Sequence, residues 1–271
     1  MFKTEMRNPN STHIHKATTE EILQIIQEEN INATMAVGKA IPEIVRACDI
    51  IVESMKIGGR LIYIGAGTSG RTGIVDAAEC PPTFGVDSSR VVGIIAGGHE
   101  CVFRASETEE DNIKAAIEDL KEAGLTKKDI IVGISAAGNA DYVLSALDYA
   151  QSIDCNTIGL TCNEDSKLAQ KAQISIVTDT GAEVITGSTS MKAGTAQKLV
   201  LNMLSTTAMI KMGYVYENLM INLNAKNKKL LVRMVNIVRE ILGCDKETAK
   251  RLLDENEGNI RKAIESVKGT L

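Results

Sequence analysis

RLIYIGAGTSGRTG, residues 60–73, is the stretch whose reading decides the fold. Leu61–Ile64 is a short run of apolar and β-branched residues that stops at Gly65. Small and hydroxyl-bearing residues follow, and then a helical pattern. A buried strand that ends in glycines and feeds a helix is the opening of a βα unit. Four similar runs lie downstream: VVGIIAG at 91–97, DIIVGIS at 129–135, NTIGLT at 156–161 and ISIVTD at 174–179. Helix-like segments such as ASETEEDNIKAAIEDLKEAG and ADYVLSALDYAQSI separate them. Strands apolar on both faces and alternating with helices specify a parallel sheet covered on both sides. The expected fold is therefore α/β: an open parallel sheet of about five strands between two helical layers.

The flanks are helical. Residues 1 to about 17 are polar, contain Pro9 and read as an extended arm. Thr18 or Thr19 then caps EEILQIIQEEN. A second helix runs through AVGKAIPEIVRACDIIVESMK to Gly58-Gly59, with Pro42 either starting its main part or kinking it. One long helix spans Lys192 to about Met212. After Asn224 the chain becomes charged and then helical again, punctuated by Gly243 and Gly258. The expected division is 1–224 for the α/β domain and 225–271 for a small helical module.

Composition narrows the partners. At 271 residues and 44% hydrophobic, the chain can bury a sizeable core, and with 3% aromatics and no Trp that core must be aliphatic. A net charge of -5 argues against nucleic acid or an anionic membrane as partner. An anionic ligand must then be held by local donors. The six cysteines form no C-x-x-C pair, and the first residues lack a signal-type apolar stretch. Reduced thiols and a cytoplasmic location are expected. No apolar run is long enough to span a membrane. His13, His15 and His99 have no metal-ligand spacing.

The loop at 64–73 suits phosphate. Glycines let backbone N–H groups approach an anion, and the helix N-terminus adds partial positive charge. Gly67, Thr68, Ser69 and Gly70 are the candidate ligands. The alternative is a tight turn that needs glycine for geometry alone. No P-loop lysine follows, and the G-x-G-x-x-G spacing with its acidic ribose reader is missing, so neither a nucleoside triphosphate nor a dinucleotide is favoured. GISAAGNADYV at 133–143 ends a second strand in the same manner. Neighbouring strand ends in a parallel sheet share one crevice. Ser135, Gly138 and Asn139 are thus further candidates, although Gly138-Asn139 is also a common turn pair. Read from the residues alone, Glu79 is a helix-surface residue, and Glu107 and Glu109 are dipole partners of a helix start.

TEMRNPNS (4–11), GRLIYIGAGTSGRTGIVDAAECPPTFGV (59–86), IIAGG (94–98) and GAEVITGSTSMKAGTAQKLVLNMLSTTAMIKMGYVYENLM (181–220), with the ending around GCDKETAKRLL, resemble N-acetylmuramic acid 6-phosphate etherases. The resemblance covers nearly the whole chain. Its long stretches at 59–86 and 181–205 are specific to that family and to the related glucokinase regulatory protein. It implies a sugar isomerase (SIS) fold, a C-terminal module similar to a ubiquitin-associated three-helix fold, a homodimer, and a phosphorylated amino sugar as substrate. Such enzymes eliminate D-lactate from C3 and add water, without metal or organic cofactor. By resemblance, Glu79 of D-A-x-E-C-P-P and Glu110 of E-x-x-E-D are the catalytic pair, with Glu107 the second motif's first acid. Glu110 would take the C2 proton. Glu79 would protonate the departing ether oxygen and then activate water. Lys192 is a candidate donor to the C1 oxygen, or else a helix-start surface residue.

A continuous helix over 70–79 would put Glu79 roughly 13–15 Å from the phosphate end. Either that helix breaks early, or Glu79 serves a phosphate held by a second subunit. The chain also departs from the family pattern. Where A-S-G-R-T-P-Y-V is usual, it has Ala136 through Val143 as AAGNADYV, and Asp141 adds negative charge. Ser190 replaces an Arg, His15 stands where an Asp is common, and Asn222 and Lys226 also differ. A phosphosugar-binding regulator without catalysis, and an aldose–ketose phosphosugar isomerase, are the competing functions. The paired glutamates favour the enzyme over the regulator, and D-A-x-E-C-P-P speaks against the isomerase.

Overall fold

The computed structural model describes residues 2–106, 108–223 and 228–269. Five parallel strands form the central sheet: β1 (Leu61–Gly65), β2 (Val91–Ile95), β3 (Ile130–Ile134), β4 (Asn156–Thr161) and β5 (Ile174–Val177). Their order is β2-β1-β3-β4-β5. All five expected runs are strands. The chain leaves β1 toward β2 on one side and returns to β3 on the other, so β1 and β3 flank the point where the winding reverses. In open α/β sheets that is where strand ends diverge and leave a crevice.

Alternation along β1 sorts its side chains between two cores. Leu61 and Tyr63 join a cluster with helices α1 (Thr19–Lys39), α2 (Ile41–Lys56), α3 (Gly67–Phe84) and α8 (Lys192–Lys211). Ile62 and Ile64 join the opposite cluster, filled mainly by α5 (Ile113–Glu122) and α6 (Asp141–Ser152), with Leu168 from α7 (Lys167–Lys171). A short helix, α4 (Gly98–Phe103), follows β2. Three layers result, with an aliphatic core on each face of the sheet.

Local signals explain the element ends. Thr18 is the cap of α1: its Oγ accepts from Glu21 N, and Glu21 reciprocates to Thr18 N. The first helix continues to Lys39, further than its polar stretch suggested, and the break falls at Ala40. Pro42 sits in the first turn of α2, where a missing N–H costs nothing, so it starts the helix. The arm is not extended. It folds into three 3₁₀ turns, Lys3–Glu5, Pro9–Ser11 and Ile14–Lys16. Asn8 Nδ2 donates to Ala182 O (3.0 Å) and Ser11 Oγ to Val184 O (2.7 Å), which explains why these polar side chains are buried.

Helix α3 does not break early. It runs through Glu79, Pro81 and Pro82 to Phe84 and closes on Gly85 in the left-handed conformation, whose N–H bonds Pro81 O at 2.9 Å. Both prolines lie in the last turn and withhold an N–H from the carbonyls of Ala77 and Ala78 four residues back, while buried Cys80 and Phe84 anchor that turn in the core. At its other end α3 packs closely on β1 and β2. A Cβ on Gly70 would lie 2.6 Å from Gly65 O and 2.6 Å from Ile95 Cγ1. Gly70→Ala should therefore destabilise the protein by about 1–3 kcal/mol through overpacking, read as a lower midpoint in urea.

The third core belongs to the C-terminal helices α9 (Lys228–Leu242), α10 (Lys246–Glu255) and α11 (Ile260–Lys268). It also takes in Ile221 and Leu223, and a small antiparallel ribbon, β6 (Val215–Tyr216) with β7 (Leu219–Met220), packs against it. The packing of this module thus begins before residue 225. The ribbon carried too few residues to show as a period-2 pattern. Lys226 lies outside the described residues. No helix among the described residues is long and apolar enough to cross a membrane.

Candidate functional site

A cavity of about 360 Å³ lies where the winding reverses. Its floor is the loop after β1, with Ala66, Gly67, Thr68, Ser69 and Arg71, and the loop after β3, with Ser135, Ala136, Ala137 and Ala140. Gly187 to Ser190, with Ala105, Ser106 and Glu110, complete the lining.

The N-terminus of α3 opens directly onto this space. Ala66 is its N-cap and offers no side-chain oxygen, so the first turn's N–H groups are left for another acceptor. With the helix dipole, they suit an anion. Arg71 adds the cation. Its guanidinium donates to Val102 O (2.9 Å), Cys101 O (2.8 Å) and Arg104 O (3.1 Å), and so is fixed at the C-terminal end of α4 while lining the cavity. Ser69 Oγ is held against the Gln197 amide of α8.

The second loop is held from beneath. Gly138, with φ 78°, points its N–H at Ser135 Oγ (3.0 Å). Thr161 Oγ donates to Ala136 O (3.2 Å), and Asn163 Nδ2 to Ala136 O (3.1 Å) and Ala137 O (3.3 Å). Asn163 also accepts from Lys3 N (3.1 Å) and donates to Thr4 Oγ (3.2 Å), which ties the arm to the loop.

Of the residues singled out from sequence, Gly67, Thr68, Ser69, Ser135 and Glu110 share the cavity. Glu110 sits on the 3₁₀ turn Thr108–Asp111, exposed at the cavity wall. Gly70 and Gly138 lie behind the wall as close-packed backbone. Asn139 turns aside, its Oδ1 accepting from Lys167 N (3.3 Å). Glu79 is on the exposed side of α3, away from the cavity lining and, at 1.5 Å per residue, about 18 Å along the helix from Gly67. Glu107 lies outside the described residues.

Lys192 is not a surface residue, nor does it line the cavity. It is 2% exposed, and its Nζ is ion-paired with buried Glu29. Its backbone N–H and that of Ala193 donate to Glu183 (3.1 and 3.0 Å), which caps α8. Burial pushes the Glu183 carboxyl up, partly offset by those two donors. Cys80, next to Glu79, is raised to about 12 by burial and by the charge of Asp76, and stays a thiol. Arg71, Ser106 and the hydroxyls of Ser188, Thr189 and Ser190 are cavity residues that residue-level reading passed over. The run STS at 188–190 was the available signal.

Comparison with known proteins places this cavity in a family. The chain is 49% identical over 261 residues to the N-acetylmuramic acid 6-phosphate etherase of Pasteurella multocida, covering 96% of this chain and 87% of that protein. It is 49% identical over 268 residues to the one from Caldanaerobacter subterraneus, covering 99% and 88%. The chain belongs to the N-acetylmuramic acid 6-phosphate etherase family. Residues 43–151 match the glucokinase regulatory protein N-terminal SIS domain, and residues 112–207 the SIS domain. Among solved structures, a phosphoheptose isomerase from Francisella tularensis shares the fold, with TM-score 0.54 at 18% identity over 72% of this chain and all of that one. So does the Vibrio vulnificus NanR protein complexed with ManNAc-6P, with TM-score 0.52 at 16% identity over 72% of this chain and 65% of that one. Three positions where this chain departs from the usual etherase pattern, Ala137, Ala140 and Ser190, line the cavity. Asp141 does not. It faces a separate hollow with Asp148, Lys167 and Lys171.

Proposed function

We propose that this protein cleaves the D-lactyl ether of N-acetylmuramic acid 6-phosphate, giving N-acetylglucosamine 6-phosphate and D-lactate in cell-wall sugar recycling. The observation that carries this reading is a carboxylate, Glu110, lining the same cavity as an uncapped helix N-terminus. The phosphate binds the first turn of α3 with Thr68, Ser69 and Ser135, near Arg71. Ring opening exposes a C1 aldehyde, which makes the C2 proton removable. Glu110 takes that proton, and the electron pair moves onto the C1 oxygen as an enolate. Collapse of the enolate forms the C2–C3 double bond as the C3–O bond breaks, and Glu79 protonates the leaving lactate oxygen. Glu79 then takes a proton from water as it adds at C3, and C2 is reprotonated. Each proton transfer contributes about 10²–10⁴-fold.

The unbroken α3 keeps Glu79 too far from the phosphate end of its own helix for one sugar phosphate to bridge. The proposal therefore includes a cytoplasmic homodimer in which Glu79 reaches the cavity of the second subunit. Val75, about one turn before Glu79, is also exposed, which suits a contact there. Lactate release from N-acetylmuramic acid 6-phosphate tests the activity. Mixing inactive Glu79→Gln and Glu110→Gln proteins tests the shared site: random exchange in a two-fold dimer should restore about a quarter of the sites. Absence of recovery after proven subunit exchange would sink it. No lactate from the folded parent would favour a phosphosugar-binding regulator.

The alanines in the second loop set a further expectation. Each hydroxyl hydrogen bond is worth roughly 0.5–1.5 kcal/mol. The double variant Ala137→Ser/Ala140→Thr should therefore lower KM for the sugar phosphate, with kcat little changed, in steady-state assays.

A further inference from the structure

We infer that Gln197 is a positioning residue that turns the Ser69 hydroxyl proton toward the bound phosphate. The inference rests on the reading of the cavity as a phosphosugar site and assigns a residue to its specificity. Gln197 is 1% exposed, on the second turn of α8, behind the cavity wall. Its Nε2 donates to Ser69 Oγ at 3.1 Å, and Ser69 Oγ lies 3.2 Å from its Oε1. Both atoms of one amide thus face one hydroxyl.

A serine hydroxyl has one proton and two lone pairs. Within the protein, Gln197 Oε1 is the acceptor for that proton. When an anion arrives, the proton swings to it. The Nε2–H bond remains, keeps Oγ in place and fills one of its lone pairs. Because the amide presents a donor and an acceptor at nearly equal distances, exchanging its two ends leaves the same choice. The second loop has the same polarity, since the Gly138 N–H occupies a lone pair of Ser135 Oγ at 3.0 Å. Each serine therefore has an internal donor behind it and its proton available in front. Such hydroxyls favour an acceptor-only ligand group, a phosphate dianion, over a neutral hydroxymethyl group that must also donate.

A change at Gln197 that keeps size but reverses polarity should do more harm than one that removes polarity. Gln197→Glu offers Ser69 only acceptors, retains its proton and adds like charge beside the phosphate. Gln197→Met leaves the hydroxyl unguided.

The test is binding of N-acetylglucosamine 6-phosphate by calorimetry to the parent, Gln197→Met, Gln197→Glu, Ser69→Ala and the corresponding double variants, with thermal unfolding to verify folding. Gln197→Met should weaken binding roughly three- to tenfold, the size of one hydrogen bond, and Gln197→Glu by more. In the Ser69→Ala background, Gln197→Met should cost less than about twofold, because the coupled partner is gone. In turnover assays KM should rise while kcat stays within about twofold, as for binding shared by ground and transition states. Equal losses with and without Ser69, or no loss from Gln197→Met, would overturn the assignment. If Gln197→Glu does not fold, the Met cycle alone decides. A parent that binds the sugar phosphate but releases no lactate would end the etherase reading and leave this inference standing. A parent that binds no sugar phosphate would end both.

Discussion

Glu110→Gln should lower lactate release by roughly 10²–10⁴-fold, the range for loss of one positioned general base, and leave the protein folded. The first part follows from the chemistry. The C2 proton must leave before the C3–O bond breaks, and an amide cannot accept it. The second follows from position: Glu110 is exposed on a short 3₁₀ turn, where a carboxylate-to-amide change removes no core packing. In D₂O the two glutamates separate. Glu79→Gln should still exchange the C2 proton for deuterium while releasing little lactate, since in the proposed roles it removes the acid and keeps the base. Glu110→Gln should do neither. Deuterium at C2 in the Glu110→Gln reaction, followed by mass spectrometry, would remove Glu110 from the role of base.

Lys192→Met should be the most destabilising single change, by about 3–5 kcal/mol, because it leaves a buried carboxylate without its countercharge. Both members of the Lys192–Glu29 pair are almost fully buried. Burial acts to raise the Glu29 carboxyl, but donors from Lys192, Asn10, Asn8 and Asn32 outweigh it and hold the group at about 2, below its ordinary 4.5. The sign of the pH effect follows. A depressed carboxyl contributes stability that is complete above the ordinary value and is lost as pH falls toward the folded value. The gap between parent and Lys192→Met should therefore be widest near neutrality and narrow as pH falls, beginning above 4.5, where the unpaired carboxyl of the variant takes up its proton, and ending toward about 2, where the parent's does. Glu183 works the other way: its raised carboxyl is a cost when ionised, relieved on protonation. Glu29→Gln/Lys192→Met should recover much of the loss, since it removes both charges. Urea unfolding across pH measures all three, and a gap constant with pH would contradict the ion-pair account.

The two predictions also mark where sequence reading succeeds. The strands were legible because each is a short apolar run ending in glycine or a hydroxyl, a local property. The cavity's two floor loops were legible for the same reason, since parallel strands place their C-terminal ends together. Lys192 was not, because burial of a lysine depends on a carboxylate 163 positions away, on α1. Gln197 was missed likewise: a polar residue on a helix reads as solvent-facing until Ser69 is brought under it. The unbroken course of α3 through two prolines was decided by Cys80 and Phe84 seated in the core, which outweigh local propensity. The role of Glu79 came from resemblance alone, since nothing around it in the chain distinguishes it from a surface acid.

The arm has a consequence for the order in which the molecule completes itself. Residues 3, 4, 8 and 11 are among the first to be synthesised, yet their partners, Asn163, Ala182 and Val184, come about 160 to 175 residues later. Until about two thirds of the 271 residues have been made, these long-range bonds have no partner to form with. Holding the ends of so long a loop together costs only slightly more than for one half its length, so late capture is affordable. Because Asn163 carries both the arm and the carbonyls of Ala136 and Ala137, the arm settles in the same event that finishes the cavity floor. A nascent chain stalled before Asn163 emerges would hold β1 and the start of α3 but an unfinished second loop, so ligand binding should appear late and abruptly as the chain lengthens.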